Sequence, residues 1–259
     1  MIDKLKVFAD ELNLIQHPQI RAFTEKCIER TPDYFYRVPA SSTGKYHPEY
    51  SLGDGGLIRH TKALVYFAKE LLELEHNRQR FTPAERDSII AAGILHDSFK
   101  HGDNYSQYSV ANHPVVAADH ILEWAEAEEE KNYSAAIATA VRSHMGEWCC
   151  DYKTKEPIMP KPETDKEKFL HECDYLASRK NVIVQGIDYE PIDYMPLEDV
   201  IQEIISLCKN SIAEGFSRVK LVEFITNNNN GSPDPRKVEK LDKAVELYKN
   251  IKWFTKEVK

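Results

Sequence analysis

AAGILHDSFK, residues 91–100, closes an apolar stripe on an imidazole and a carboxylate, with an ammonium one helical turn further on. Ile89, Ile90, Gly93 and Ile94 recur at three- and four-residue spacing, which predicts a helix with one face toward a core. Thr82-Pro83 supplies its start, an N-cap threonine followed by proline at the first helical position. His96 and Asp97 therefore follow a buried stripe, and Lys100, four residues after His96, falls on the same side.

Outward from this segment the helical pattern repeats. Residues 1–38 read as helical in two pieces, with Pro18 and Pro32 as interruptions. Leu64, Phe67, Ala68 and Leu71 mark one helix. Asn112-His113-Pro114 opens another through Val115, Ala118 and Leu122. A helix beginning near Ser134 carries Ile137, Ala140, Val141 and His144, and the next carries Phe169, Leu170, Cys173, Asp174 and Ala177. His144 and Asp174 both lie on the apolar faces of their helices. Between these elements, Pro39–Gly56 reads as a loop and Tyr152–Pro162 as a proline-rich connection. NVIVQGIDYEPIDY, residues 181–194, suggests a short strand or hairpin. Leu197, Val200, Ile201, Ile204, Ile205 and Cys208 mark a further helix. Asn227–Asn230 with Gly231-Ser232-Pro233 reads as a flexible linker or exposed turn, and an amphipathic helix spans Pro235 to Trp253. There is no internal repeat.

Composition narrows the class. The chain has 259 residues, 42% hydrophobic and 29% charged, enough for a real core and unlike a disordered tail. A net charge of -8 argues against extended duplex nucleic-acid binding, which needs a basic surface. Five cysteines without CxxC spacing read as free thiols. The opening MIDKLKVFADEL carries charges inside its apolar stretch, unlike a signal peptide, and no apolar run approaches membrane-spanning length. A cytoplasmic protein without membrane attachment is the expectation.

Several helices thus aim imidazoles and carboxylates at one core. A buried carboxylate is costly unless something neutralises it, and a divalent metal neutralises all these groups at once. Other residues have plainer readings. SSTGKYH, residues 41–47, lacks the first glycine of a P-loop and has no Ser or Thr after Lys45. Lys45 and His47 remain candidates to fold over the site and bind substrate phosphate. Arg142 and Trp148 flank His144; Arg142 is a substrate-contact candidate, and Trp148 reads as a rim or core aromatic or as a base-stacking one. His120 can share the face of His113, and His101 and Asp103 can enter the site mouth. Glu126–Lys131 reads as a solvated face. The last helix reads as core packing, with a homodimer contact as the alternative.

GGLIRHTKALVYFAKEL, AAGILHDSFK, NHPVVAADHI, IATAVRSHMGEW and FLHECDYLASR resemble, in order, the motifs of the HD-domain metal-dependent phosphohydrolases. The resemblance covers residues 55–180 and is closest to dinuclear members. It implies an all-α HD bundle with additional N- and C-terminal helices: helices and a substrate-side loop over 1–54, the metal-binding core over 55–180, a helical extension over 181–259. It also implies roles. His60, His96, Asp97 and Asp174 would hold a first metal, and Asp97 would bridge to a second held by His113 and His144. Lys100 would neutralise the phosphoryl oxygens. The ions expected are two divalent transition metals, Mn, Fe, Ni, Co or Zn, with Mg also compatible. The implied reaction is hydrolysis of a phosphoester or phosphoanhydride of a nucleotide, dinucleotide or oligonucleotide by metal-activated water. Two alternatives stay open: a mononuclear 5'-nucleotidase-type phosphomonoesterase, in which His113 and His144 only shape the pocket, and a non-catalytic nucleotide-binding sensor module.

Overall fold

The computed structural model describes residues 2–41, 43–45, 47–151 and 153–257, and among these it holds twelve α-helices and no strand. The architecture is all-α, as expected. Ser42 and Tyr46 of the substrate-side loop, and Tyr152 at the head of the proline-rich connection, lie outside the described residues. The chain divides into two units, Lys4–Glu190 and Met1–Asp3 with Pro191–Lys259. In chain order the larger unit holds α1 (Lys4–Val7), α2 (Ala9–Leu12), α3 (Pro18–Arg30), α4 (Gly56–Leu72), α5 (Glu75–Arg80), α6 (Pro83–Leu95), α7 (His113–Glu123), α8 (Glu128–Ser143) and α9 (Asp165–Ala177). The other holds α10 (Leu197–Ala213), α11 (Arg218–Asn228) and α12 (Leu241–Glu257).

In the larger unit α6 is the central rod. Every residue from Asp87 to Leu95 is buried, because α2, α3, α4, α8 and α9 all pack against it. Gly93 permits the approach of α4: a Cβ there would meet Leu64 Cδ2 at 2.8 Å. The start of α6 is fixed locally. Thr82 Oγ1 accepts the Glu85 N–H while the Glu85 carboxylate accepts the Thr82 N–H. Thr164 and Glu167 repeat the arrangement at α9. Asp87 is not spent on its own helix. Its Oδ2 accepts the backbone N–H groups of Gln16 and His17 at 3.1 and 2.7 Å, tying the entrance of α3 to α6.

The second unit has its own core, with Val200 and Ile204 of α10, Leu221 and Ile225 of α11, and Ala244, Leu247 and Ile251 of α12. No helix among the described residues is long and apolar enough to cross a membrane.

Several elements differ from the sequence reading. Pro18 opens α3 instead of interrupting a helix, because its fixed φ suits the first turn. α8 begins at Glu128, so the charge run supplies its first turn. Glu130 accepts the Glu126 and Ala127 N–H groups and pairs with Lys26 of α3, so the run is more than a solvated face. Residues 181–194 form no strand. Ile183 is 80% exposed, Gly186 turns at positive φ, and the segment ends in a 3-10 turn over Pro191–Tyr194. Alternating apolar residues make a strand only where a neighbouring strand accepts their hydrogen bonds. Asn227 and Asn228 belong to α11, and Asn229 is buried with its amide donating to the Ser232 and Asp234 carbonyls, an ordered turn instead of a flexible linker. The final helix starts at Leu241, since Pro235–Lys237 is a separate 3-10 turn followed by extended Val238.

Candidate metal centre

Five elements bring the expected ligands together. His60 comes from the first turns of α4, His96 and Asp97 from the exit of α6, His113 from the start of α7, His144 from the exit of α8 and Asp174 from the last turn of α9. Donor atoms of His60, His96 and Asp97 form one group, and those of Asp97, His113 and His144 a second, each with all its atoms within 4.8 Å of one another. Asp97 belongs to both, through different oxygens. Oδ1 faces His113 Nε2 at 2.9 Å and His144 Nε2 at 3.6 Å. Oδ2 faces His96 Nε2 at 3.4 Å and His60 Nε2 at 3.8 Å. Asp174 Oδ1 stands beside the first group, 3.0 Å from His60 Nε2 and 3.8 Å from His96 Nε2.

The imidazoles are aimed by their own backbone. His96, His113 and His144 each direct Nδ1 at the carbonyl three residues earlier, of Gly93, Val110 and Val141, at 2.8, 2.8 and 2.7 Å. A carbonyl only accepts, so each Nδ1 carries the proton and, in the neutral ring, each Nε2 presents a lone pair to the centre. His96 Nε2 and His60 Nε2 stand 3.3 Å apart. His113 Nε2 and Asp97 Oδ1 are both buried and both lack a hydrogen-bond partner, although they face each other. Acceptor lone pairs converging without a proton between them repel, and a divalent cation converts that repulsion into coordination. Imidazole nitrogens and carboxylate oxygens suit first-row divalent metals. The donor set therefore fits a metal ion in each group.

Charge within the centre follows from burial and neighbours. Burial pushes the Asp97 carboxyl up, but the Lys100 ammonium, with His96, His113 and His144 beside it, outweighs burial and holds it well below the usual carboxylate range. For Asp174 the same opposition is settled by His60, with His96 and His144 adding to it, again leaving an ionised carboxylate. Burial drives His113 down despite Asp97 beside it, so its ring stays neutral. Lys100 Nζ lies 2.5 Å from Asp97 Oδ2. The centre opens on the side of Asp174 and Lys100, whose side chains are 16% and 12% exposed; those of His60, His96, Asp97 and His144 are at most 1% exposed.

Of the remaining candidates, His47 joins the centre, its ring centroid 5.6 Å from that of His60. Burial pushes its pKa down to about 3, with His60 and Lys100 acting in the same direction, so it is neutral. Lys45, on the same loop, is exposed. Arg142 pairs with Asp119 of α7. His120 pairs with Asp103 and stacks on Phe99, apart from the two groups, and His101 is occupied by the Ser106 carbonyl. One contributor escaped the sequence reading. His171 of α9 directs Nδ1 at the His144 carbonyl, 2.7 Å away, and so braces the backbone that carries that ligand. It reaches there only because Gly146, at φ 59°, has no Cβ: one would stand 2.3 Å from the His171 ring. Its only sequence signal is a glycine just past the end of α8. No family model, curated protein or solved structure matches the chain.

Proposed function

We propose that the protein is a metal-dependent phosphohydrolase of the HD kind, holding two divalent ions and cleaving a phosphoester or phosphoanhydride. The observation that carries this reading is the division of Asp97, one oxygen toward His113 and His144 and the other toward His60 and His96. A carboxylate can be shared between two cations in this way, whereas a neutral imidazole has one lone pair to give. His60, His96, Asp97 and Asp174 would hold one ion, and Asp97, His113 and His144 the other. Bound there, divalent ions supply Lewis acidity toward phosphoryl oxygens and lower the pKa of water to near neutrality.

The chain's own groups do the rest. Ionised Asp97 and Asp174 and the fixed Nε2 lone pairs set the donor positions before any ligand arrives, so little reorganisation accompanies binding. Lys100, at the open side, neutralises Asp97 and offers N–H donors to a phosphoryl oxygen, balancing charge that grows as the scissile bond breaks. His47, neutral and next to His60, offers a hydrogen bond to the same group without adding charge. The apolar walls of α4, α6 and α8 exclude bulk water from the far side.

Metal content per chain, with hydrolysis of bis-p-nitrophenyl phosphate under added Mn, tests the reading. Wild type should bind about two ions and His113→Ala about one. A wild-type content near one, unchanged in His113→Ala, would favour the mononuclear reading. Failure to turn over any of several phosphoesters with any of the first-row ions would leave a binding module instead of an enzyme.

A further inference from the structure

We propose that the smaller unit binds an anionic single-chain amphiphile, a long alkyl carboxylate, in the cavity between α10 and α11. Every wall of this site comes from the smaller unit, and it uses no residue of the metal centre. Three observations converge on it. The first is enclosure. α10 and α11 both pack on α12, and the Pro235–Lys237 turn packs on α10. Residues of α10, of α11 and of the segment 233–236 line a cavity of about 520 Å³, a size typical of small-molecule sites.

The second observation is the chemistry of the walls. Ile205, Cys208 and Ile212 of α10 line the cavity with Leu221, Val222 and Ile225 of α11. Burial pushes the Cys208 thiol up, so it stays protonated and adds no charge. No aromatic ring and no side-chain amide is among the described residues that line the cavity, so its walls suit a flexible aliphatic chain better than a planar or hydrogen-bonding ligand. Ile212 and Val222 are 38% and 42% exposed, aliphatic surface that an apolar tail would take out of water.

The third is charge. Lys209, Arg218, Asp234 and Arg236 also line the cavity. Arg236 is already matched, its Nε donating to Asp234 Oδ1 at 2.8 Å. Lys209 and Arg218 have no hydrogen bond or ion pair among the described residues, which leaves two cations unbalanced. They lie toward one end. Lys209 stands four residues before the end of α10 and Arg218 opens α11, on either side of the short connection 214–217. Ile205 and Ile225 lie roughly two turns further from that connection along their helices. A ligand that matches this polarity has an anionic head and an aliphatic tail. A neutral hydrocarbon would leave both cations without a counter-ion, and an inorganic anion would leave the aliphatic walls wet.

The test is calorimetry of the full-length protein with dodecanoate, below the concentration at which it forms micelles. One dodecanoate per chain should bind, equally with and without added Mn. Hexanoate should bind at least about a hundredfold more weakly, because each methylene that the walls take up is worth about fourfold in affinity. Dodecyltrimethylammonium, with the same tail and the opposite head, should bind about tenfold or more weakly, and so should dodecanoate to the double variant Lys209→Gln, Arg218→Gln. Ile212→Asp and Val222→Asp, each at a half-exposed position, should weaken dodecanoate at least as much. Thermal melts report whether each variant keeps its fold; should either aspartate variant unfold, the exposed Lys209 and Arg218 replacements and the ligand series carry the comparison. No binding of dodecanoate, binding that needs Mn, equal affinity for the two heads or the two chain lengths, or affinity untouched by the substitutions would overturn the proposal. Sedimentation of the ligand-free chain covers the rival occupant: a dimer that Val222→Asp dissociates would assign the cavity to a second copy and overturn it as well.

Discussion

Asp97 is the residue on which both donor groups depend, and its replacement should act differently from that of any imidazole. Asp97→Asn keeps the volume but removes the charge that would balance two cations. We expect metal content to fall in both groups, against one for His113→Ala, and turnover to drop by roughly a hundredfold or more. Metal analysis of the two variants side by side checks this. His144 and Asp174 were legible as candidates because each occupies an apolar helix face, where an acid or imidazole calls for a partner, and His96 and Asp97 because they follow such a stripe; His60 and His113 entered only through the resemblance. His171 and Gly146 were not, since their contact joins the exit of α8 to the middle of α9 and no local pattern encodes it. A second prediction at this scale concerns Cys27 of α3, whose thiol is pushed up to about 12 by burial. An unfolded thiol ionises near pH 9, so above that value the unfolded state has lost a proton that the folded state keeps. Stability present below pH 9 is then lost as pH rises toward 12, by up to about 1.4 kcal/mol per pH unit from this group. Urea midpoints from pH 8 to 10.5 should fall along that slope, and more gently in Cys27→Ala.

Among the elements, the helix exits carry most of the precision. Gly146→Ala would force a left-handed backbone on a residue with a Cβ and drive that atom into the His171 ring. It should cost about 2 kcal/mol or more, read as a lower urea midpoint, and weaken metal affinity by disturbing His144. Asp87→Ala would leave the Gln16 and His17 N–H groups without their acceptor and should cost about 1–3 kcal/mol without affecting metal content. The contrast between these two variants separates support of the centre from support of the fold. Helices α6 and α9 were readable because their apolar residues recur at helical spacing, and in α6 Thr82-Pro83 marked the start as well. α5 and α11 were not: the first is six residues long and largely polar, and α11 buries only Leu221 and Ile225, too narrow a stripe to show through its charged neighbours. Val182, Ile183 and Val184 imitate a strand by composition alone, and only the missing partner strand decides against it.

At the scale of the whole molecule, both groups of candidate metal donors found among the described residues lie in the larger unit. The boundary after Glu190 lies close to the break expected at 180, yet the segment between them stays with the larger unit. Arg59 of α4 donates to the Tyr189 carbonyl, and the Tyr189 hydroxyl donates to the Tyr36 carbonyl. Metal binding should therefore protect one unit selectively. In hydrogen exchange, added Mn should slow the amides of α4, α6, α8 and α9 and leave those of α10, α11 and α12 unchanged. Chelation should lower the melting temperature by several degrees, since a ligand at a hundred times its dissociation constant contributes about 2.7 kcal/mol. Uniform protection of both units, or none, would contradict a centre confined to Lys4–Glu190.

The ionised pair Asp97 and Asp174, set against the single ammonium of Lys100, also dictates an order of events. Two carboxylates against one ammonium leave a negative surplus among these three groups, and an approaching phosphate dianion meets like sign. Only cations reverse that polarity. On the proposed function metal should load before phosphate, and the metal-stripped chain should give no heat with phosphate at concentrations that saturate the metal-loaded chain.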